Sequence, residues 1–202
     1  MKLVVGVTGG IGVGKTTVAT MLADRGAVVV DCDALGRQVI ERGGRAFDAV
    51  VERFGVGILG EDGEIKRAAL VRIVFEDPGA LEDLNAISHP AIDAEIAGHI
   101  ADAPDDAIVV LDMAVLVESN LGKGQYELVV VVEAALDVRL ERLAARGMTR
   151  DDALARIKSQ ATDEERRAVG DLFVRNDGDF SELSTEVDHV WTELVARARR
   201  KA

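Results

Sequence analysis

Five short runs of apolar residues, uninterrupted by charge, punctuate the chain: Leu3-Val4-Val5-Gly6-Val7, Ala27-Val28-Val29-Val30, Ile108-Val109-Val110-Leu111, Leu128-Val129-Val130-Val131-Val132 and the weaker Leu172-Phe173-Val174. They are continuous rather than alternating, which predicts strands of a parallel sheet covered by helices on both faces. Helical periodicity fills the intervals. It predicts helices over about 15–25, with Val18, Met21 and Leu22 on one face, and over about 136–146 and 181–199. In the last of these, Leu183, Val187, Val190, Trp191, Leu194 and Val195 form one apolar stripe that reads as packing. From Asp31 to about Asp106 the pattern is helical, near 34–42, 46–54, 67–75 and 80–101, with a turn at Glu61-Asp62-Gly63. That stretch is too long for a simple crossover. The expectation is an α/β fold, a doubly wound parallel five-stranded sheet with an inserted helical subdomain. It divides one domain into a core of about 1–33, 105–135 and 170–202, a helical insertion of about 34–104, and a lid of about 136–169.

The lid is set apart by its polar residues. Thr149 with Asp152, and Thr162 with Glu165, have the spacing of capping boxes at helix starts. Arg139, Arg142, Arg146, Arg150, Arg156, Arg166 and Arg167 cluster there, in a chain whose formal net charge is −12. Most of them read as a solvated helix face paired with Asp and Glu. One or two could instead close over phosphate groups.

The first strand runs directly into Gly9-Gly10-Ile11-Gly12-Val13-Gly14-Lys15-Thr16, and a helix follows. This is the spacing of a phosphate-binding loop. Glycine permits positive φ and close approach to phosphate oxygens. The backbone N–H groups then form an anion nest, reinforced by the positive end of the following helix. Lys15 places a compact cation on the β and γ phosphates, and Thr16 offers a hydroxyl to magnesium. The chain is therefore expected to bind a nucleoside triphosphate with Mg2+.

Ligands of open α/β sheets lie beyond the carboxyl ends of the strands. The second strand ends in Asp31-Cys32-Asp33, and alternation puts both acids on one side of an extended segment. A carboxylate there could orient an attacking hydroxyl and accept its proton late, or help hold magnesium. Asp33 could equally cap the helix over 34–40. Asp112 ends the third strand as a candidate magnesium-side carboxylate, directly or through water, and Glu118 follows in the next loop. His89, followed by Pro90, reads on its own as a structural histidine. Asn176-Asp177-Gly178 is a turn signal at the edge where a nucleotide base could reach amide groups.

Charge and composition narrow the field. An acidic chain argues against a general nucleic-acid surface, which needs a basic stripe. The single Cys32 excludes an internal disulfide and fits a reducing cytoplasm. No apolar stretch approaches the roughly 18 residues of a membrane span, and with the first strand so near the start no signal peptide is expected. With aromatics at 3%, the core must rest on Val, Leu, Ile and Ala.

Taken together these residues resemble the dephospho-CoA kinase family, along nearly the whole chain. The matching elements are Thr8 to Thr16, Asp31-Cys32-Asp33 with Arg37, Arg67, Ile73-Val74-Phe75, and Ile87-Ser88-His89-Pro90. Leu111-Asp112 with Leu116 and Glu118, Glu141-Arg142-Leu143 with Arg146, Arg156-Ile157 with Gln160, and Asn176 with Gly178 complete them. The resemblance implies a P-loop NTPase-type fold and transfer of the ATP γ-phosphate to the ribose 3′-hydroxyl of dephospho-CoA. It implies Asp33 as base, with Lys15 and Arg142 as its catalytic companions. Gly10, Ile11, Gly12, Val13, Gly14, Lys15, Thr16, Thr17, Arg142 and Asn176 would bind ATP, Asn176 at the adenine end. Asp33, Arg37, Arg67, His89, Leu116 and Glu118 would serve the acceptor. The expected partners are ATP and dephospho-CoA alone, with no nucleic acid or membrane, for a cytoplasmic chain read as a monomer.

The chain departs from the family pattern at Ala114-Val115 where Pro-Leu is usual, at Val117 for Phe, at Asn120 for Gly, and at Lys66 and Arg175 for Asp. The departures at 114–115, 117 and 120 affect loop shape near the acceptor and could alter affinity, but they do not touch the phosphate loop, Asp33 or Arg142. Two other readings remain: a kinase of another small metabolite or nucleotide, and a nucleotide-dependent switch. Guanine-reading switches carry Asn-Lys-x-Asp after a late strand, and the chain has no such run.

Overall fold

All six residues of strand β1 (Leu3–Thr8) are buried. The strand lies at the centre of a five-stranded sheet ordered β2-β3-β1-β4-β5. The other strands are β2 (Val28–Asp31), β3 (Ile108–Asp112), β4 (Leu128–Glu133) and β5 (Leu172–Arg175). Every pairing is parallel. The structure, a computed structural model, describes residues 1–119 and 121–201. It divides into two compact units, residues 1–31 with 99–202, and residues 32–98.

In the first unit, helices α1 (Lys15–Asp24) and α9 (Phe180–Lys201) bury their apolar stripes against the sheet. Val18 and Leu22 of α1 and Val187 and Leu194 of α9 join Val5, Val7, Val110 and Val130 in one core. Aliphatic side chains fill it, as the scarcity of aromatics requires. Register puts the ends of β1, β2 and β3 together, with Val7 opposite Asp112 and Asp112 opposite Asp31.

After β4 come α6 (Leu136–Ala145), α7 (Arg150–Lys158) and α8 (Asp163–Val169). Helix α6 stops where Gly147 takes φ +81°, letting Met148 N–H donate to the Leu143 carbonyl at 3.1 Å. Helix α8 begins with a complete capping box between Thr162 and Glu165. At the start of α7 only half of that motif forms. The Thr149 hydroxyl accepts from Asp152 N–H and is itself bonded to the Asp152 carboxylate at 2.7 Å, rather than the carboxylate reaching back to the cap's N–H. Aspartate is one methylene shorter than the Glu that closes the box at Thr162.

The second unit is helical: α2 (Cys32–Gln38), α3 (Phe47–Phe54), a 3-10 turn at Val56–Ile58, α4 (Arg67–Glu76), and α5 (Pro78–Asp102), which continues into the other unit. Val50, Ile58, Leu70, Ile92 and Ile96 are buried. Arg53 donates to Asp83 at 2.6 Å and Arg45 pairs with Glu95. Helix α5 runs through Pro90, which has no N–H for the carbonyl four residues earlier. That residue, Ala86, is exposed, so water can take the freed carbonyl. One expectation fails here. The chain turns helical at Cys32, so Asp31 and Asp33 do not alternate along an extended segment. Asp33 sits inside the first turn of α2, not at a cap before it.

Candidate active site

The phosphate loop forms because two glycines accept what other residues resist. Gly12 and Gly14 have φ of +85° and +91°, and Gly14 is the left-handed cap from which α1 starts. The N-terminus of α1 therefore opens onto the loop. Thr16 and Thr17 are exposed in its first turn, and Lys15 is largely enclosed. Lys15 forms an ion pair with Asp112 at the end of β3, where the side chains keep only 12% and 7% of their exposure. The lysine expected on phosphate and the carboxylate expected on the magnesium side thus meet.

Asn176, 5% exposed and just past β5, closes one flank of the loop. Its amide donates to the Val13 carbonyl at 2.7 Å, and its oxygen accepts from Arg142 at 3.1 Å. A Cβ at Gly14 would strike that amide. Arg142 also approaches the Val13 carbonyl, at 3.5 Å. Beside this triangle a cavity of about 370 Å³ is lined by Thr17, Arg142, Arg146, Asn176, Phe180 and Leu183, among others. Asp177 holds the neighbouring turn by accepting from Ala135 N–H at 2.6 Å and pairing with Arg175. The backbone donor, then the guanidinium, push the Asp177 carboxyl below the usual range.

Helices α6 to α8 grip the other flank. Arg139 donates to the Ile11 carbonyl at 3.0 Å, and the Gln160 side chain accepts from Ile11 N–H at 2.8 Å. The Arg139 and Arg166 guanidinium groups fill the space over Gly10, where a Cβ would lie 2.5 Å and 3.3 Å from them. Both arginines approach Asp163 at about 3.4–3.5 Å. Burial pushes the Arg139 guanidinium down; Asp163 opposes this and Arg166 adds to it. Arg146, Arg150, Arg156 and Arg167 are exposed, in line with a solvated face. Arg139 and Arg166, at 3% and 2% exposure, are not. One signal for Arg139 was readable: it lies one residue before Leu140 and four before Leu143, the two buried leucines of α6.

Of the residues that the resemblance assigns to the acceptor, Asp33, Arg37, Arg67 and His89 belong to the helical unit. The first three are exposed, on α2 and at the start of α4, and His89 is half-buried on α5. Leu116 and Glu118 belong to the other unit. Leu116 is 5% exposed and packs over Gly6 of β1 beside the Tyr126 ring. The Glu118 carboxylate accepts from Arg166 at 2.9 Å and from Ala161 N–H at 2.8 Å. Ala114, Val115 and Val117 lie in the same loop, with Val115 exposed. Asn120 lies outside the described residues. Arg175 is committed to Asp177, and Lys66 immediately precedes α4.

Magnesium fits the donors at hand. Among the described residues no group of three or more His, Cys, Asp or Glu could form a protein cage. Mg2+ bound with a nucleotide needs only one or two protein oxygens beside phosphate and water. The Thr16 hydroxyl and the Asp112 carboxylate are of that kind.

A family model described as dephospho-CoA kinase matches residues 3–182. The chain is 44% identical to a dephospho-CoA kinase of Frankia casuarinae, over 98% of this chain and 86% of that protein. It is also 44% identical to one of Streptomyces avermitilis, over 98% and 97%. Among solved structures it resembles a protein of Thermus thermophilus (TM-score 0.79, 31% identity, 96% of this chain and 98% of that one). The fold is also shared with a dephospho-CoA kinase from Campylobacter jejuni (TM-score 0.72, 23% identity, 97% and 98%). More distantly it is shared with a shikimate kinase from Acinetobacter baumannii (TM-score 0.53, 13% identity, 98% and 95%).

Proposed function

The chain belongs to the dephospho-CoA kinase family, ATP-dependent enzymes that phosphorylate dephospho-CoA to coenzyme A, and from that premise we propose how its own residues divide the work. The observation that carries the reading is the loop at 10–16, with Lys15 and Asp112 at its mouth and Arg142 and Asn176 fastened to the Val13 carbonyl.

Gly10 to Thr17 bind the triphosphate through backbone N–H groups and the start of α1. Lys15 leaves Asp112 for the β and γ oxygens when ATP arrives, an exchange of one anionic partner for another. Arg142 reaches the transferring phosphoryl group from its anchor on Asn176. The cavity beside Asn176 and Phe180 takes the adenine. Thr16 and Asp112 would hold Mg2+, the latter directly or through water, and the ion would supply neutralisation of phosphate charge. Asp33 orients the ribose 3′-hydroxyl and accepts its proton, while Arg37, Arg67 and His89 bind the acceptor's phosphates and ribose. Phosphoryl transfer needs little covalent help, so positioning and charge supply most of the acceleration. Closure of the segment 136–169 limits hydrolysis by water.

No helix among the described residues is long and apolar enough to cross a membrane. The reading places the reaction in the cytoplasm and takes the chain to act as a monomer on two small molecules. The test is ADP release from ATP and Mg2+ with dephospho-CoA, against the same mixture without acceptor, with AMP, CMP or shikimate, and with EDTA. Release confined to dephospho-CoA and abolished by EDTA supports the reading. Equal release without acceptor favours a nucleotide switch, and preference for another acceptor favours a different metabolite kinase.

A further inference from the structure

Glu118 is placed where an acceptor ligand is not the best account of it. One oxygen, Oε1, receives both the Arg166 guanidinium and Ala161 N–H. Ala161 follows Gln160, which accepts from Ile11 N–H in the phosphate loop. Arg166 lies over Gly10 beside Arg139, whose guanidinium holds the Ile11 carbonyl. A single carboxylate on the loop after β3 therefore holds the Arg166 side chain over Gly10 and the backbone one residue past Gln160, whose own side chain meets Ile11.

Charge gives the same answer. Arg139 and Arg166 are two buried cations side by side, and among the described residues the acids bonded to them are Asp163 and Glu118. Removing Glu118 would leave two guanidinium groups sharing one carboxylate, in an environment that already pushes the Arg139 group down through burial and its arginine neighbour. Arg166 has little slack to find another partner. Its Nη1 is bound to the Ala161 carbonyl at 2.6 Å, and its buried Nε has no partner among the described residues.

We infer that Glu118 is a positioning residue: through Arg166 and residue 161 it sets Gln160 and Arg139 on the phosphate loop, and it acts on phosphoryl transfer without binding the acceptor. This rests on the kinase reading above. Disruption would shift residues 10 and 11 relative to the triphosphate, and misplacement of about 1 Å can cost a hundredfold in rate. Water exclusion would suffer as well.

The test is a double-mutant cycle of Glu118→Ala, Arg166→Ala and the pair, measured as kcat and KM for each substrate and as ADP release without acceptor. Each single variant should lower kcat about ten- to a hundredfold, with KM for dephospho-CoA within about twofold, and should raise the ratio of hydrolysis to transfer. The pair should lose no more than the worse single, because both remove one interaction. Arg166→Lys should recover part of the loss. Should Glu118→Ala fail to fold, by circular dichroism, Glu118→Gln keeps the shape and removes the charge, and the same pattern is expected of it. A Glu118 variant with kcat nearly intact and KM for dephospho-CoA raised about tenfold or more would restore the acceptor role and overturn the inference. Losses that multiply in the pair would also overturn it. Wild-type protein inactive on dephospho-CoA would overturn the kinase reading instead, so the two failures are separable.

Discussion

Gly14→Ala is the sharpest probe of how the phosphate loop is built, because two separable effects meet there. The first is conformational: φ is +91°, and a side chain in the left-handed region costs about 1–2 kcal/mol. The second is collision: the new methyl would strike the Asn176 amide, which is buried and bonded to Val13 and Arg142. Displacing that amide leaves buried polar groups unsatisfied, about 1–3 kcal/mol more. Gly147→Ala supplies the comparison. Its φ is +81°, and nothing lies within 4 Å of the added carbon, so it carries the conformational cost alone. For a chain of this length each kcal/mol moves Tm by about 2–4 °C. The Gly14 variant should therefore melt roughly 2–12 °C below the Gly147 variant. Differential scanning fluorimetry on both, and on Gly14→Ala combined with Asn176→Ala, checks this. The combination should cost less than the sum of its parts, since the small residue makes room for the methyl. Equal melting of the Gly14 and Gly147 variants, or strict additivity in the pair, would refute the collision.

Three further outcomes are expected. Asp33→Asn should keep ATP binding, by calorimetry, but lose about a hundredfold or more in turnover; near-normal turnover would remove Asp33 as the base. Arg142→Ala should lower kcat more than it weakens ATP, by about tenfold or more if the arginine serves the transition state, whereas a pure rise in KM for ATP would make it a ground-state contact. Asp177 has a carboxyl held below its usual range in the folded chain, so its stabilisation is present above the unfolded value near pH 4 and is lost as pH falls through the folded one. Urea unfolding should accordingly show Asp177→Asn less stable than wild type at pH 6–7, with the gap narrowing below about pH 4; a gap that widens on acidification contradicts that sign.

The strands were legible because a buried parallel sheet writes itself as unbroken apolar runs. The run at 128–132 became β4, Leu128–Glu133, and the phosphate loop fell between β1 and α1 where its spacing put it. The start of α2 at Cys32 was not legible because Asp31-Cys32-Asp33 suits a strand end and a helix start alike. The arginines show where local pattern stops. Arg139 and Arg166 look like members of a solvated face, yet their burial depends on Asp163 and on Glu118, 24 and 48 residues away respectively. A charge becomes a core residue only when such partners converge, and no window of sequence contains that convergence. Leu116 likewise gave no sign that it would cover Gly6.

The central place of β1 also bears on how the chain is made. Its partners β3 and β4 lie far downstream, with Leu3 pairing with Ile108 and Val5 with Leu128. At about 5–20 residues per second, a ribosome delivers Ile108 roughly 5–20 seconds after Leu3. Throughout that interval a strand that is wholly buried in the finished sheet has no neighbour to pair with, while the helices encoded between them can form from local contacts. The nascent β1 is thus the segment most in need of protection before the sheet closes.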